Sequence, residues 1–117
     1  KGYECVIKMK VKFNRQVEDP IFAITIVNLQ GTEVCGTNTM YESVNTGICN
    51  EGDIKVVEFK QKLNLAGGNY LISFGCTGYE NGEFVVYHRL YEMVNLQIVS
   101  SKNTVGYFDM ISKVTVE

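Results

Sequence analysis

The stretch Tyr3-Glu4-Cys5-Val6-Ile7-Lys8-Met9-Lys10-Val11-Lys12-Phe13 decides the fold class. Cys5, Ile7, Met9, Val11 and Phe13 are apolar, and Glu4, Lys8, Lys10 and Lys12 between them are polar. Successive side chains of a strand point to opposite faces. A period of two over this length is therefore a strand with one face in a core and one in water. Further on, Ile21-Phe22-Ala23-Ile24 and Ile26-Val27 form a nearly continuous apolar run. That run predicts a central strand covered on both faces or nearly so. Asn28-Leu29-Gln30-Gly31 reads as a hairpin turn with Gly31 at the positive-φ position, and Glu33 to Thr39 as the strand returning from it. Tyr70 to Cys76 alternates again, with Tyr70, Ile72, Phe74 and Cys76 on one face. No window long enough for a helix carries the 3.6-residue period.

The remaining segments are read the same way. Asn14 to Pro20 is a polar connection, and Met40 to Asp53 is irregular and rich in turn residues. Ile54 to Leu63 is extended, but its apolar residues change phase between Val56 and Val57, which predicts a β-bulge. Leu65 to Asn69 is a turn, and Gly78 to Gly82 a second loop ending in the turn dipeptide Asn81-Gly82. Phe84 to Tyr87 reads as a short strand. His88 to Met93 lacks strand alternation and predicts one helical turn. Leu96 and Ile98 belong to another strand, and Val105 to Val116 is extended. Roughly seven to nine short strands joined by Gly-rich turns describe an all-β, antiparallel β-sandwich, with residues 1–117 as one domain.

Composition excludes several functions. Eleven Lys and Arg against 13 Asp and Glu give a net charge of -2. No large positive field is available to hold a phosphate backbone, so nucleic-acid binding is not expected. No apolar run approaches the roughly 20 residues of a membrane span. His88 is the sole histidine, which rules out any site that needs two. Cys5, Cys35, Cys49 and Cys76 contain no Cys-x-x-Cys pair. Their even number permits two disulfides. A chain of this size builds a core without them, however, and Cys5 and Cys76 lie in apolar-alternating runs. Reduced thiols are expected.

Catalysis finds little support. No Gly-x-Ser-x-Gly elbow and no phosphate-binding Gly-x-x-x-x-Gly-Lys loop is present, and nothing pairs one cysteine with His88. Asn50-Glu51-Gly52-Asp53 is rich in oxygen ligands but reads as a plain turn rather than a Ca²⁺ loop. No cofactor or metal is expected. Binding fares better. A sugar is held by aromatic rings against its C–H faces and by polar side chains on its hydroxyls. Tyr79, Glu80, Asn81, Tyr87, His88, Arg89 and Tyr91 supply that mixture densely, and Tyr41 with Glu42 a smaller version. The alternative is that these tyrosines half-cover the sandwich with their hydroxyls in water.

Ordered landmarks run through nearly the whole chain: Asp19-Pro20-Ile21, Asn28-Leu29-Gln30-Gly31, Gly36-Thr37-Asn38-Thr39, Gly52, Val57 with Phe59, Leu63 with Leu65, Gly68-Asn69-Tyr70, Gly75, Leu96 with Ile98-Val99, and Gly106 with Phe108-Asp109. In this order they resemble the C-terminal carbohydrate-binding domain of Wzt-type ATPases, the nucleotide-binding subunits of ABC transporters that export O-antigen and related bacterial polysaccharides. The resemblance implies an immunoglobulin-like sandwich that recognises the exported polysaccharide, often at its terminal sugars, and so selects it for export. It implies a homodimer, formed in some members by exchanging a C-terminal strand that would here be residues 111–116. It implies a cytoplasmic location at the inner face of the membrane, with no insertion into it. The transporter permease would be reached through an ATPase domain that precedes this one. The resemblance also leads us to expect one more strand before Gly2-Tyr3-Glu4, trimmed from this sequence. No ligand residue transfers by motif. Two other readings stand beside it: a structural or dimerisation sandwich without a glycan ligand, and a small sandwich enzyme acting on carbohydrate.

Overall fold

A computed structural model describes residues 4–117. Tyr3, the expected first residue of the opening strand, lies outside them. The alternation that opens the sequence becomes β1 (Glu4–Lys12), and Val17–Glu18 forms the short β2. The apolar run is β3 (Ile21–Asn28), followed by β4 (Glu33–Asn38), β5 (Ile48–Cys49), β6 (Ile54–Lys62), β7 (Gly68–Glu80) and β8 (Glu83–Ile98). The sheet order is β4-β3-β7-β8, all antiparallel, with β1-β6 and β2-β5 as separate two-stranded ribbons. β3 is central, as its apolar run requires. Its Phe22, Ile24 and Ile26 meet Ile72 and Cys76 of β7 and, from the ribbon side, Phe59 in one core. Cys5, Ile7, Met9 and Val11 pack against that core from β1.

Two turns follow their residue types. Gly31 sits at φ 84, and Asn28 Oδ1 accepts from the amides of Gln30 at 3.0 Å and Thr32 at 2.8 Å. Asn81 and Gly82 both take positive φ, at 52 and 78, so β7 and β8 join through two residues. The expected loop over Gly78–Gly82 is therefore mostly strand. The Asn50–Asp53 segment is a turn, closed by Asp53 N donating to Asn50 O at 3.0 Å.

Three expectations are corrected. β6 carries no bulge: it pairs with β1 in unbroken register from Glu4↔Lys62 to Lys12↔Ile54. The phase change instead leaves Ile54 and Val56 pointing outward, 53% and 59% exposed. His88–Met93 is not helical but part of the continuous β8. Its alternation fails because β8 places Tyr91, Glu92 and Met93 where β7 places only Ser73, and because the register slips again at Cys76/Thr77. Residues 111–116, read as extended, form no strand within one chain; the exchanged strand concerns a second copy. The chain is pinned as far as Asp109, by the Leu65↔Phe108 bridge, by Asp109 N to Asn64 O at 2.6 Å and by Lys102 Nζ to Asp109 Oδ1 at 2.6 Å. Beyond it the residues are exposed, Val114 at 80% and Val116 at 92%. β8 alone spans roughly 50 Å, and the radius of gyration is 17.0 Å, against about 13 Å for a compact domain of this length.

Candidate functional site

The outward face of the four-stranded sheet is a trough, and small residues make it one. Cross-strand register lines up Asn38, Ala23, Gly75 and Arg89 on one rung, and Gly36, Thr25 and Ser73 on the next. Ala23, Thr25, Ser73, Gly75 and Thr77 floor a depression of about 460 Å³, within the range of small-ligand sites. A Cβ added to Gly75 would meet only the Ala23 Cβ, at 3.9 Å. The missing side chain is therefore open space above the sheet. Glycine inside a strand marks such places of close approach.

Aromatic rings wall the floor. Tyr41 stands on the β4 side, 74% exposed, and Tyr91 on β8, 68% exposed. Tyr79 and Phe84 close one end as an edge-to-face pair with centroids 5.6 Å apart. Arg89 lines the trough, and among the described residues no carboxylate lies within salt-bridge range of it. Glu33 and Glu92 line the other end beside Gly31. Glu92 takes φ 55, a left-handed conformation costing about 1–2 kcal/mol for a residue with a Cβ. Its amide donates to Ser73 Oγ at 2.8 Å, which holds the bulge in place. Backbone strain of this kind concentrates at functional sites. Past Met40 and Tyr79 a second recess of about 500 Å³ continues between Asp19-Pro20 and the 39–46 loop.

The structure divides the seven residues singled out from the sequence. Tyr79, Arg89 and Tyr91 meet in the trough. Glu80 and Tyr87 instead form a brace with Arg15, which the sequence reading missed. The Arg15 guanidinium donates to both Glu80 carboxylate oxygens, at 3.2 and 3.0 Å, and its Cζ lies 5.2 Å from the Tyr87 ring centroid. The hydrogen bonds from Arg15 hold the Glu80 carboxyl below its ordinary range, and Glu80 in turn raises Arg15. Tyr87 packs against the core and over Gly78, where a Cβ would stand 3.0 Å from the ring. Asn81 serves the turn, and His88 is exposed on β8 outside the trough. Glu92, Asn38 and the floor residues were also missed. The broken alternation at Tyr91–Met93 was the legible signal for Glu92.

Burial pushes the Cys49 thiol up and the Cys76 thiol up to about 11, the reverse of activation. Among the described residues no three metal-ligating side chains gather, and no helix is long and apolar enough to cross a membrane. The arrangement can hold a flat, hydroxyl-bearing ligand between rings, with Arg89, Asn38 and the Ser and Thr hydroxyls offering hydrogen bonds.

The Wzt C-terminal domain family matches residues 1–110. The crystal structure of the C-terminal domain of Wzt superposes with a TM-score of 0.87 at 26% identity, over 99% of this chain and 71% of that one. No curated protein matches. The chain belongs to the Wzt C-terminal domain family, which is associated with ABC transporters of polysaccharide export.

Proposed function

We propose that this domain binds a bacterial cell-surface polysaccharide, without catalysis, and selects it for export by an ABC transporter. The trough carries the proposal: a floor of small residues between Tyr41 and Tyr91, with unpaired Arg89 beside Gly75. Its continuation past Tyr79 gives room for an extended chain rather than one sugar. Individual contacts are shallow and compete with water, so each site is weak. The domain would work in the cytoplasm, joined through a preceding ATPase domain to the permease.

A homodimer fits the elongated shape. Met110, Ile111, Val114 and Val116 project apolar surface that a second copy can cover. Two sites on one polymer then gain avidity. The same tail favours the second reading, a dimerisation domain with no ligand. Titration with the surface polysaccharide of the bacterium that carries the chain separates the two. Binding that disappears in Gly75→Val, with the dimer intact, supports the glycan reading. A folded wild-type domain that binds no polymer at millimolar sugar concentration refutes it.

A further inference from the structure

The net charge of -2 conceals a segregated surface. Five rungs of the β1-β6 ribbon point away from the core: Glu4↔Lys62, Val6↔Lys60, Lys8↔Glu58, Lys10↔Val56 and Lys12↔Ile54. Each carries one lysine. The unbroken register makes them a continuous file that starts on β6, crosses to β1 at Lys8 and runs to the end of the strand. Rungs on one face repeat about every 7 Å, so the file is about 27 Å long. With Glu4 and Glu58 counted, this face has a formal charge of +3 and the rest of the chain -5. Lys8 pairs with Glu58 at 3.5 Å. Lys10, Lys12 and Lys60 stand opposite apolar side chains, with no carboxylate in salt-bridge range among the described residues.

We infer that this lysine file is a second contact surface for the polymer and that the polymer is acidic, with an anionic group on its repeating unit. The inference rests on the polysaccharide reading above. A periodic line of cations matches a periodic line of anions, whereas a compact anion would engage one or two rungs. Two-stranded ribbons twist strongly. A file one lysine wide on such a ribbon presents its charges less evenly to a flat bilayer than to a flexible chain that follows it. Val6, Val56 and Ile54, partly exposed between the lysines, offer apolar contact to sugar C–H faces.

The test is affinity electrophoresis of the whole domain in gels holding polygalacturonate, or dextran of equal length as the neutral control. The proteins are wild type, the triple variant Lys10→Glu/Lys12→Glu/Lys60→Glu and the matching triple Lys→Arg variant. Thermal melts establish that each is folded. Polygalacturonate should retard wild type and Lys→Arg, and dextran should not. Retardation should fall at least about tenfold in the Lys→Glu variant, and by a similar factor on raising salt from about 50 to 500 mM. Wild type that ignores polygalacturonate overturns the inference, as does undiminished retardation of the Lys→Glu variant. Tighter binding to a single-stranded oligonucleotide or to anionic-lipid vesicles overturns it too. Failure of the inference leaves titration of the native polymer intact. Failure of that titration, with polygalacturonate retardation retained, removes the export reading but not the anion-binding face.

Discussion

Gly75→Val should raise stability and abolish glycan binding, and the opposite signs are the point of the experiment. Gly75 lies in β7, between β3 and β8, and its backbone is not in the left-handed region. A valine there fits the backbone, and its Cβ meets only the Ala23 Cβ, at 3.9 Å. Removing glycine's extra freedom from the unfolded chain contributes about 0.5–1 kcal/mol. Valine's preference for a pleated surface adds up to about 1 kcal/mol. Together they amount to about 0.5–2 kcal/mol, and the melting temperature should rise by about 2–10 °C. Binding moves the other way. The two valine methyls occupy the trough floor, so a sugar ring bound as proposed would lift off the sheet and away from Arg89 and Asn38. One charged and one neutral hydrogen bond amount to about 2–4 kcal/mol, roughly a 30- to 1000-fold loss. Calorimetry or a dye-based melt reads the first quantity, and titration with the native polysaccharide the second. Gly36→Ala is the internal control, since its Cβ would stand 2.6 Å from the Ile24 carbonyl oxygen. It should cost about 1–3 kcal/mol. A Gly75→Val domain that is more stable and binds polymer as wild type does would refute the placement of the site.

Three further outcomes follow from the packing and the charges. Ile24→Ala, at a position 2% exposed in the centre of the core, should cost about 3–4 kcal/mol in urea unfolding, and a loss below about 1.5 kcal/mol would contradict the tight core. The Glu80 carboxyl is held low by Arg15, so the brace stabilises above the ordinary carboxylate pKa of about 4 and weakens as pH falls through the lowered one. Wild type should therefore melt above Glu80→Gln at pH 7, and the two should converge in acid; a difference unchanged at pH 2 would rule the brace out. With the Cys76 thiol pushed up to about 11 and Cys49 fully buried, a thiol reagent at pH 8 should label exposed Cys35 first, and Cys49 and Cys76 only on addition of denaturant. Prompt labelling of either buried thiol in native buffer would contradict the packing.

Much of the fold was legible in the chain. The alternation in β1, the apolar run of β3 and the turn residues at Gly31 and Asn81-Gly82 are local signals, and each element lies where its signal is. The site was only partly legible. Tyr79, Arg89 and Tyr91 belong to the trough, but nothing local distinguishes them from Tyr87 and Glu80, which face Arg15. Arg15 and Glu80 are 65 residues apart in sequence, and no window joins them. Ala23 and Gly75 form the floor only because β3 and β7 pair in that register.

The sequence by itself determined that the chain is all strand, which residues alternate, where the chain turns and which family it belongs to, because those features lie in near-neighbour spacing and ordered landmarks. Tertiary structure alone decided what the irregular stretches mean. Broken alternation after His88 could be a helical turn or a bulge, and only the hydrogen bonds to β7 select the bulge that turns Tyr91 and Glu92 to the trough. A net charge of -2 could be mixed or sorted, and only the pairing of β1 with β6 sorts five lysines onto one face. Strand register is a contract between distant segments, made by backbone groups that every residue shares, so side-chain patterns constrain it without naming the partner.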